Sequence, residues 1–537
     1  MIYINRFFFN ISNQIRKFYL QTNFYDKKIS KIFNKGLIYK PSPHLLSSLI
    51  KYNKKKINLN EFYLDKIWNN NNLNLKEFKK LNSFYWFFRL DLKSSKKNTQ
   101  SIITKWINNN KKYNPKSWDF DLTAKRIIAW LSCYSLTYEE SDQNYKDIFN
   151  EIIQKQTNHL INEIKKSDLV DDKLIGCASI ILVGLCYKNE KNYLSYGTNF
   201  LKKISKITLD NYNFPKSRNI KQLIFYLKYF ILIREWFKES QIETPEYIEE
   251  TIYHLGQGYA FLWQNIGSDI LFNGNNISNN EDFDIYLKRL GYKFKNENQE
   301  YGNYIIFKNK KICLAMDAGP APNIRFSKDY QSGALSFEII SNKQKIISNC
   351  GYYKKDHVKL NQLSKSSAAQ NTLIIDDNSS CKFTKINNTW LVNKGVKILK
   401  KEYIFEKNYW KINLSHDGYL KKFDSVHERE IEFYPEQMSF IGLDKIIKKK
   451  ANNNYRFDIR FHVEPGVKLM KTQDSKNILI ELKDEGWKFS CESYDINIDN
   501  GLYFGNKNSY TENQNIYISG ISNSQIENIR WEIKKIT

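Results

Sequence analysis

The sequence predicts an α+β protein of more than one domain, with a helical N-terminal part followed by an antiparallel β-sheet part. Three observations support this prediction. The chain has 537 residues, which is more than one hydrophobic core usually serves. Apolar residues recur at helical spacing from about residue 57 to residue 261, whereas beyond residue 304 they alternate with polar residues. Hydrophobic residues make up 41% of the chain and aromatic residues 15%, enough to form a core in each part.

The helical part is predicted from broad apolar faces. One such face has apolar residues at positions i, i+1, i+4, i+7, i+8 and i+11, namely Leu174, Ile175, Ala178, Ile181, Leu182 and Leu185. The segment 222–238 is apolar almost all round, as expected of a helix that packs on both sides. Many consecutive helices with short connections predict an array of helix pairs, either a solenoid or a closed toroid.

The character of the sequence changes after residue 271. The stretch 272–284 is rich in Asn, Gly and Ser, which is typical of a linker or long loop. From residue 455 to residue 463 apolar and polar residues alternate strictly, and several similar runs separated by turn residues favour a large antiparallel sandwich. The predicted divisions are an N-terminal extension, a helical domain, a linker and a β-sandwich, over 1–56, 57–271, 272–300 and 301–537.

The net charge narrows the possible binding partners only slightly, and the cysteines predict free thiols. A net charge of +26 would ordinarily indicate a polyanionic partner, either nucleic acid or an acidic glycan. Lysines are spread along the whole chain, so a solvated lysine-rich surface explains most of the excess. The sequence contains no nucleic-acid-binding fingerprint, and nucleic acid is not expected as a partner. The seven cysteines are scattered without a C-x-x-C pair, which predicts buried free thiols.

No export signal or membrane span is predicted from the residues. The apolar burst at 7–9 is too short for the hydrophobic region of a signal peptide. The most apolar stretch, 223–233, is too short to cross a bilayer. These features alone predict a soluble, cytoplasmic protein, and they leave its oligomeric state open.

Six short motifs follow one another in the β-rich part. They are MDAGPAP at 316–322, QSGALSFE at 331–338, ISNCG at 347–351, SAAQNTL at 367–373, SHDGY at 415–419 and VHER at 426–429. In this order and spacing they resemble the C-terminal domain of heparinase II/III-like polysaccharide lyases. Trp118 with the segment 125–130, and Ser217-Arg218-Asn219 ahead of a long apolar helix, resemble the corresponding N-terminal domain. The resemblance covers roughly residues 80 to 470.

This resemblance implies an (α/α) toroid followed by an antiparallel β-sandwich. It also implies cleavage of a uronate-containing polysaccharide, such as heparan sulfate or alginate, by β-elimination. That reaction requires neutralisation of the uronate carboxylate, a base that removes the α-proton and an acid that protonates the departing oxygen. Lyases of this type often work outside the cytoplasm, so the resemblance favours the cell envelope and the compartment stays open.

The sequence departs from the family pattern at several positions. Gln331 and Gln370 stand where relatives carry histidines, which help to hold a zinc ion in metal-bearing members. Because amides are poor substitutes for imidazole as zinc ligands, no zinc or other cofactor is predicted. In the helical part Asp171 and Asp172 stand in place of an Asn-His pair, and Gln222 stands near the position of a catalytic tyrosine.

The remaining candidate site residues lie mainly in motifs that match the family. His416, Tyr419 and His427 are predicted catalytic groups, and Arg218 and Arg429 are predicted to bind a substrate carboxylate. The alternative for the two histidines is a polar network between strands, and for Arg218 a structural ion pair at a helix end. The functional hypothesis is a lyase with rearranged catalytic residues; the alternative is a non-catalytic descendant that binds glycan or associates with the envelope.

Overall fold

The computed structural model describes residues 13–30, 36–47, 49, 73–90, 96–187, 191–278, 280–354, 357–386, 389–450, 454–506 and 509–536. The apolar burst at 7–9, the predicted start of the helical domain at residue 57 and much of the predicted extension lie outside these residues. Packing divides the chain into two compact units. The first falls within Met1–Ile207, Tyr226–Ile252 and Asp282–Gly291, and the second within Thr208–Phe225, Tyr253–Glu281 and Tyr292–Thr537. The predicted domain boundaries stay predictions.

The N-terminal part of the chain is helical over its described residues. Its helices are α1 (Asn23–Ile29), α2 (Pro43–Ser47), α3 (Leu75–Asn82), α4 (Lys96–Asn110), α5 (Phe120–Ser132), α6 (Tyr134–Thr137), α7 (Gln143–Glu163), α8 (Val170–Cys186), α9 (Lys191–Thr208), α10 (Ile220–Glu239), α11 (Glu246–Tyr259) and α12 (Glu281–Arg289). A π-helical turn, Ala260–Gln264, follows α11 directly. Two short helices, α13 (Val358–Lys365) and α14 (Leu420–Phe423), lie among the strands.

Local sequence explains where these helices begin and which face they bury. Asp142 caps α7, because its carboxylate accepts a hydrogen bond from the backbone N–H of Tyr145 at 2.8 Å. The apolar face predicted between residues 174 and 185 lies in α8, and each of its side chains is at most 3% exposed. Helix α8 packs against α5 and α7 within the first unit.

A buried cation joins the helices of the first unit. Arg126 on α5 is inaccessible to solvent, and its guanidinium donates to Gln156 Oε1 at 3.0 Å. It also donates to the carbonyl oxygens of Asn82 and Ser117, at 3.1 and 3.0 Å, and lies 4.0 Å from the ring of Trp106. These contacts tie α5 to α7 and to the end of α3 through one side chain.

The C-terminal part forms antiparallel sheets. Its strands are β1 (Glu300–Tyr301), β2 (Tyr304–Lys308), β3 (Ile312–Asp317), β4 (Phe337–Ser341), β5 (Gln344–Ile347), β6 (Leu373–Ile375), β7 (Lys382–Ile386), β8 (Thr389–Lys394), β9 (Ile398–Phe405), β10 (Trp410–His416), β11 (Ser425–Tyr434), β12 (Ser439–Lys448), β13 (Tyr455–His462), β14 (Lys468–Lys471), β15 (Asn477–Glu481), β16 (Gly486–Ser490), β17 (Ile496–Tyr503), β18 (Thr511–Ser522) and β19 (Ile526–Lys535).

Among the described residues these strands form four sheets. The largest has the order β14-β15-β16-β19-β12-β11-β10-β9, and the others are β1-β2-β3-β4-β5, β17-β18-β13-β6 and β7-β8. Tight turns connect neighbours: Asn342 and Lys343 between β4 and β5 both have positive φ, as a two-residue type I′ turn requires. The predicted α+β fold class, helices first and antiparallel sheets after, is confirmed.

The core of the second unit lies where three sheets meet. Trp531 on β19 stacks on Phe337 of β4, with ring centroids 5.5 Å apart and an interplanar angle of 3°. Phe461 on β13 meets the same indole edge-on at 5.0 Å. All three side chains are at most 1% exposed. Trp531 is therefore one contact between the largest sheet and two others.

Two further sequence predictions concern cysteines and membrane spans. All seven cysteines are buried and free, as the scattered spacing predicted. Among the residues that the structure describes, none of the helices combines the length and the apolar character needed to cross a bilayer.

Close packing of Trp531 makes Gly442 on β12 essential to the largest sheet. Gly442 lies opposite Trp531 in register, and a methyl group added there would lie 2.0 Å from indole Cζ2. We expect Gly442→Ala to lower the free energy of unfolding by about 1–3 kcal/mol through overpacking, measured by chemical denaturation. Gly36→Ala is the control, because nothing lies within 4 Å of its added methyl group. Equal stability of the two variants would contradict this packing.

Candidate functional site

Two predicted catalytic histidines lie side by side on neighbouring strands. His416 ends β10, and antiparallel register places it opposite His427 on β11. His416 Nε2 lies 3.3 Å from His427 Nδ1, and His427 Nε2 lies 2.7 Å from Oδ1 of Asp444 on β12. The backbone N–H of Gly418 donates to His416 Nδ1 at 3.0 Å.

These contacts fix the tautomers of both rings. The carboxylate of Asp444 can only accept, so His427 carries its proton on Nε2 and its Nδ1 accepts. His416 therefore carries its proton on Nε2, which leaves its Nδ1 to accept from Gly418. The hydrogen bonds run in one direction, from Gly418 through His416 and His427 to Asp444.

Arg429 and Trp531 complete the partners of the carboxylate. Arg429 Nε donates to Asp444 Oδ1 at 2.7 Å and a terminal nitrogen donates to Oδ2 at 3.1 Å, in a bidentate pair. Trp531 Nε1 donates to Oδ2 at 2.8 Å. The other terminal nitrogen of Arg429 donates to the carbonyl oxygens of Leu335 and Asn371, at 2.9 and 2.6 Å. Every polar edge of the guanidinium therefore has a protein acceptor.

Burial determines the protonation of this network. His416, His427, Arg429 and Asp444 are all 0% exposed. The pKa of Asp444 is lowered despite burial, because Arg429 and His427 stabilise the carboxylate. Burial lowers the pKa of both histidines, so both are neutral at pH 7. The result is one neutralised ion pair flanked by two neutral imidazoles.

Tyr419 lies beside this network and is equally enclosed. Its ring centroid is 5.8 Å from that of His416, and its hydroxyl donates to the carbonyl oxygen of Leu373. The side chain is 1% exposed, and burial raises its pKa. In this conformation Tyr419, His416, His427 and Arg429 do not reach solvent, so contact with a substrate would require the sheet to open.

Arg218 lies in a second buried cluster, just before α10. Its guanidinium donates to Asp317 Oδ1 at 2.6 Å and to the carbonyl oxygen of Asn303 at 2.9 Å, and the side chain is 5% exposed. The backbone of Arg218 has φ of 60°, which is costly for a residue with a side chain. Asn273 Nδ2 donates to the other oxygen of Asp317 at 2.9 Å.

A single backbone residue links the two clusters. The N–H of Leu335 donates to the carbonyl oxygen of Asp317 at 3.1 Å, while its own carbonyl oxygen accepts from Arg429. Leu335 also has a positive φ of 58°. The structure thus brings His416, His427, Arg429 and Tyr419 together, and it places Arg218 in a separate cluster of the same unit.

The positions of the absent zinc histidines hold amides that bind backbone. Gln331 is fully buried, and its Oε1 accepts from the N–H of Gly274 at 3.0 Å. Its Nε2 donates to the carbonyl oxygens of Gly351 and Ser364, at 2.9 and 2.6 Å. Gln370 Nε2 lies 3.5 Å from the same Ser364 oxygen. The amide group of Gln331 and the amide nitrogen of Gln370 are thus directed at backbone groups. Among the described residues no group of three or more His, Cys, Asp or Glu could hold a metal ion.

Asp172 has a different environment from the buried strand residues. It lies in the first turn of α8, is only partly buried, and accepts a hydrogen bond from Ser167 Oγ at 3.3 Å. Burial, and the nearby carboxylates of Asp121 and Asp119, raise its pKa to about 6. Asp172 is therefore a partly accessible carboxyl group that titrates close to neutral pH.

Sequence reasoning missed Asp444, although a signal for it exists. Alternation along β12 directs Phe440, Gly442, Asp444 and Ile446 to the buried face. A charged residue in that inward phase requires a buried partner. The inward phase of β11 contains Arg429, which is the partner.

Comparison with known proteins supports the fold. The family model described as Heparinase II/III-like, C-terminal, matches residues 296–532. A solved heparinase III is 13% identical, with 92% of this chain and 88% of that chain covered and a TM-score of 0.69. A mutant heparan sulfate lyase from Pedobacter heparinus is 12% identical, with 90% and 79% covered and a TM-score of 0.67.

Two curated relatives are longer than this chain. FtsZ-localized protein C of Caulobacter vibrioides is 23% identical over 237 residues, 42% of this chain and 41% of that protein. Protein Ycf2 of Physcomitrium patens is 24% identical over 514 residues, 91% of this chain and 20% of that protein. The chain therefore spans about two-fifths and one-fifth of the length of these relatives.

Asp444→Asn should destabilise the protein strongly. The amide removes the charge that neutralises buried Arg429 and presents a donor where Asp444 accepts hydrogen bonds from four donor groups. We expect the free energy of unfolding to fall by about 3–5 kcal/mol. Glu481→Gln is the control, because that carboxylate is exposed on β15 of the same sheet and its loss should cost less than about 1 kcal/mol. A loss no larger than the control's would show that the pair contributes nothing to stability.

Acid should destabilise the fold through its buried neutral histidines. His159 and His462 have pKa values lowered to about 3 by burial, and the pKa values of His416 and His427 are also lowered. The unfolded chain binds these protons below about pH 6.5, so stability is complete above that pH and falls as the pH drops toward 3. Each histidine contributes up to about 1.4 kcal/mol per pH unit. In denaturation at a series of pH values, His462→Asn should have a shallower slope than the wild type; an unchanged slope would contradict the assignment.

Proposed function

We propose that this chain is a lyase that cleaves a uronate-containing acidic polysaccharide by β-elimination, because residues 296–532 match the family model described as Heparinase II/III-like, C-terminal. Its fold extends over most of a heparinase III and of a heparan sulfate lyase, and those names suggest a glycosaminoglycan as the substrate class. At sequence identities of 13% and 12%, the likeness to these two structures supports a shared fold. The lyase activity is our inference.

The reaction needs a group that exchanges a proton with the sugar near neutral pH. A carboxylate can serve as the base if its pKa is raised close to the working pH, because it is then ionised and still has affinity for a proton. The base must also reach the substrate, which excludes side chains that stay enclosed in a sheet.

The environment of Asp172 is the observation that supports this proposal. It stands where the resemblance places a histidine, it is partly exposed, and its pKa is raised to about 6. Above that pH it is a carboxylate, so it can accept the uronate α-proton. We assign it the role of general base in place of the imidazole.

The buried strand residues have a supporting role in this proposal. His416, Tyr419, His427 and Arg429 would hold the sandwich together, because their polar atoms bond to one another and to backbone. Catalytic or substrate-binding roles for these residues, and for Arg218, stay predictions. They require that a substrate gain access to side chains at most 5% exposed.

A second candidate function is glycan binding without cleavage. It is favoured by the full burial of the predicted catalytic residues on the strands, together with the amides at positions 331 and 370. The two candidates differ in one measurable property. Both bind acidic polysaccharide, and only the lyase produces the unsaturated uronate, which absorbs ultraviolet light.

The decisive experiment incubates the protein with heparan sulfate, chondroitin sulfate and alginate and follows ultraviolet absorbance. We expect turnover on at least one polymer, with kcat/KM rising as the pH increases through about 6, because the base form of Asp172 is populated above its pKa. Asp172→Asn should reduce kcat by at least about 100-fold and leave the melting temperature unchanged.

Asp168→Asn, which removes an exposed carboxylate four residues before Asp172, is the matched control and should keep its activity. Turnover that survives in Asp172→Asn would remove this residue from the mechanism. Polysaccharide binding without absorbance on any polymer would favour the second candidate.

A further inference from the structure

A groove lies in the second unit, away from both buried clusters. Its walls are the π-helical turn Ala260–Gln264, the loop 296–299, the β2–β3 hairpin and Phe405 at the end of β9. Its volume is about 580 Å³, within the range of small-molecule sites. Strand β2 runs from Tyr304, whose hydroxyl donates to the Arg218 carbonyl oxygen, to Lys308 at the groove. Lys308 lies four residues along the strand from Tyr304, a distance of about 13 Å.

The groove is lined by side chains that suit a sugar. Gln264, Asn265, Asn298 and Gln299 line it with amide groups, which can both donate to and accept from hydroxyl groups. Phe405, 38% exposed, supplies an apolar ring surface that can contact the C–H face of a pyranose ring. A π-helical turn of this kind is rare and is frequent at functional sites.

The walls are bonded to one another, so the groove is formed in advance of any ligand. Asn265 Nδ2 donates to the carbonyl oxygen of Asn296 at 2.6 Å, which joins the π-helical turn to the loop. Lys308 Nζ donates to the Asn265 carbonyl oxygen, which joins the hairpin to the same turn. Phe405 packs between Phe307 and Trp410, with ring centroids at 5.0 and 5.4 Å. Ligand binding would therefore cost little conformational entropy, because these groups are already ordered.

Charge at the groove selects an anionic ligand. Lys308 and Lys310 line the side formed by the hairpin, and Glu297 is the single acidic side chain among the lining residues. Lys310 is exposed, and an ammonium group at a groove rim binds carboxylate or sulfate as a point charge. The groove lacks the stacked aromatic platforms and the dense basic lining that single-stranded nucleic acids need.

We propose that this groove is a binding site for an anionic saccharide, a uronate or sulfated sugar unit that stacks on Phe405 and directs its charged group to Lys308 and Lys310. The site does not take part in bond cleavage. It would hold a second stretch of the polymer, and it operates whether or not the chain has lyase activity.

The test measures binding of a uronate tetrasaccharide from heparan sulfate by calorimetry, with the carboxyl-reduced, desulfated tetrasaccharide as the neutral comparison. Lys310→Glu should weaken binding of the anionic sugar about tenfold and hardly affect the neutral one. Phe405→Ser should weaken both. Lys311→Glu, on the same hairpin but outside the groove lining, is the charge-matched control and should stay within about twofold of the wild type.

Asp172→Asn separates this proposal from the proposed function, because it should abolish turnover and leave the Lys310-dependent binding intact. Melting temperatures establish that each variant is folded, and Lys310→Gln serves as a milder replacement. Equal losses in Lys310→Glu and Lys311→Glu would reduce the effect to diffuse surface charge and overturn the site. Unchanged affinity in Lys310→Glu would overturn it as well.

Discussion

The ion pair between Arg429 and Asp444 is the constraint on which the largest sheet and its neighbours depend. Removing two charges from water costs several kcal/mol per ion, and the cost is offset only if every remaining polar atom is bonded. Asp444 accepts from Arg429, His427 and Trp531, while Arg429 reaches two backbone carbonyl oxygens beyond the sheet. One pair thereby connects β11, β12 and β19 with the segments around Leu335 and Asn371.

Two buried amide side chains nearby, Gln331 and Gln370, supply hydrogen bonds to backbone groups. Gly274 and Gly351 lie in irregular segments and Ser364 lies in the last turn of α13, so their peptide groups lack the partners that a sheet would supply. Gln331 bonds to all three, and Gln370 points at one of them. In metal-bearing relatives, the resemblance implies, histidines at these positions hold zinc. Here Gln331 and Gln370 direct neutral amide hydrogen bonds to the backbone.

Periodicity predicted the fold, because burial of one face imposes a repeat that can be counted. The helical face in α8 and the alternation in β13 both follow from that rule. His462 shows its limit: it falls in the polar phase of β13, yet it is 3% exposed because the segment at Ala368 covers it. Asp172 shows another limit. Its pKa is raised by burial and by the carboxylates of Asp121 and Asp119, some fifty residues earlier, which only tertiary packing brings near. The burial of His462 and the raised pKa of Asp172 both depend on contacts between residues far apart in the sequence. Local sequence patterns do not reveal such contacts.

The one-way order of protons from Gly418 to Asp444 has a consequence for how this part of the chain can change over generations. Each imidazole is a donor on one side and an acceptor on the other, so replacing one of them leaves a buried neighbour with an unmatched atom. We therefore expect a single exchange among the two histidines, the aspartate and the arginine to cost stability, so that a neutral route requires compensating exchanges at two or more positions. Variation among descendants should therefore spare or replace the four together.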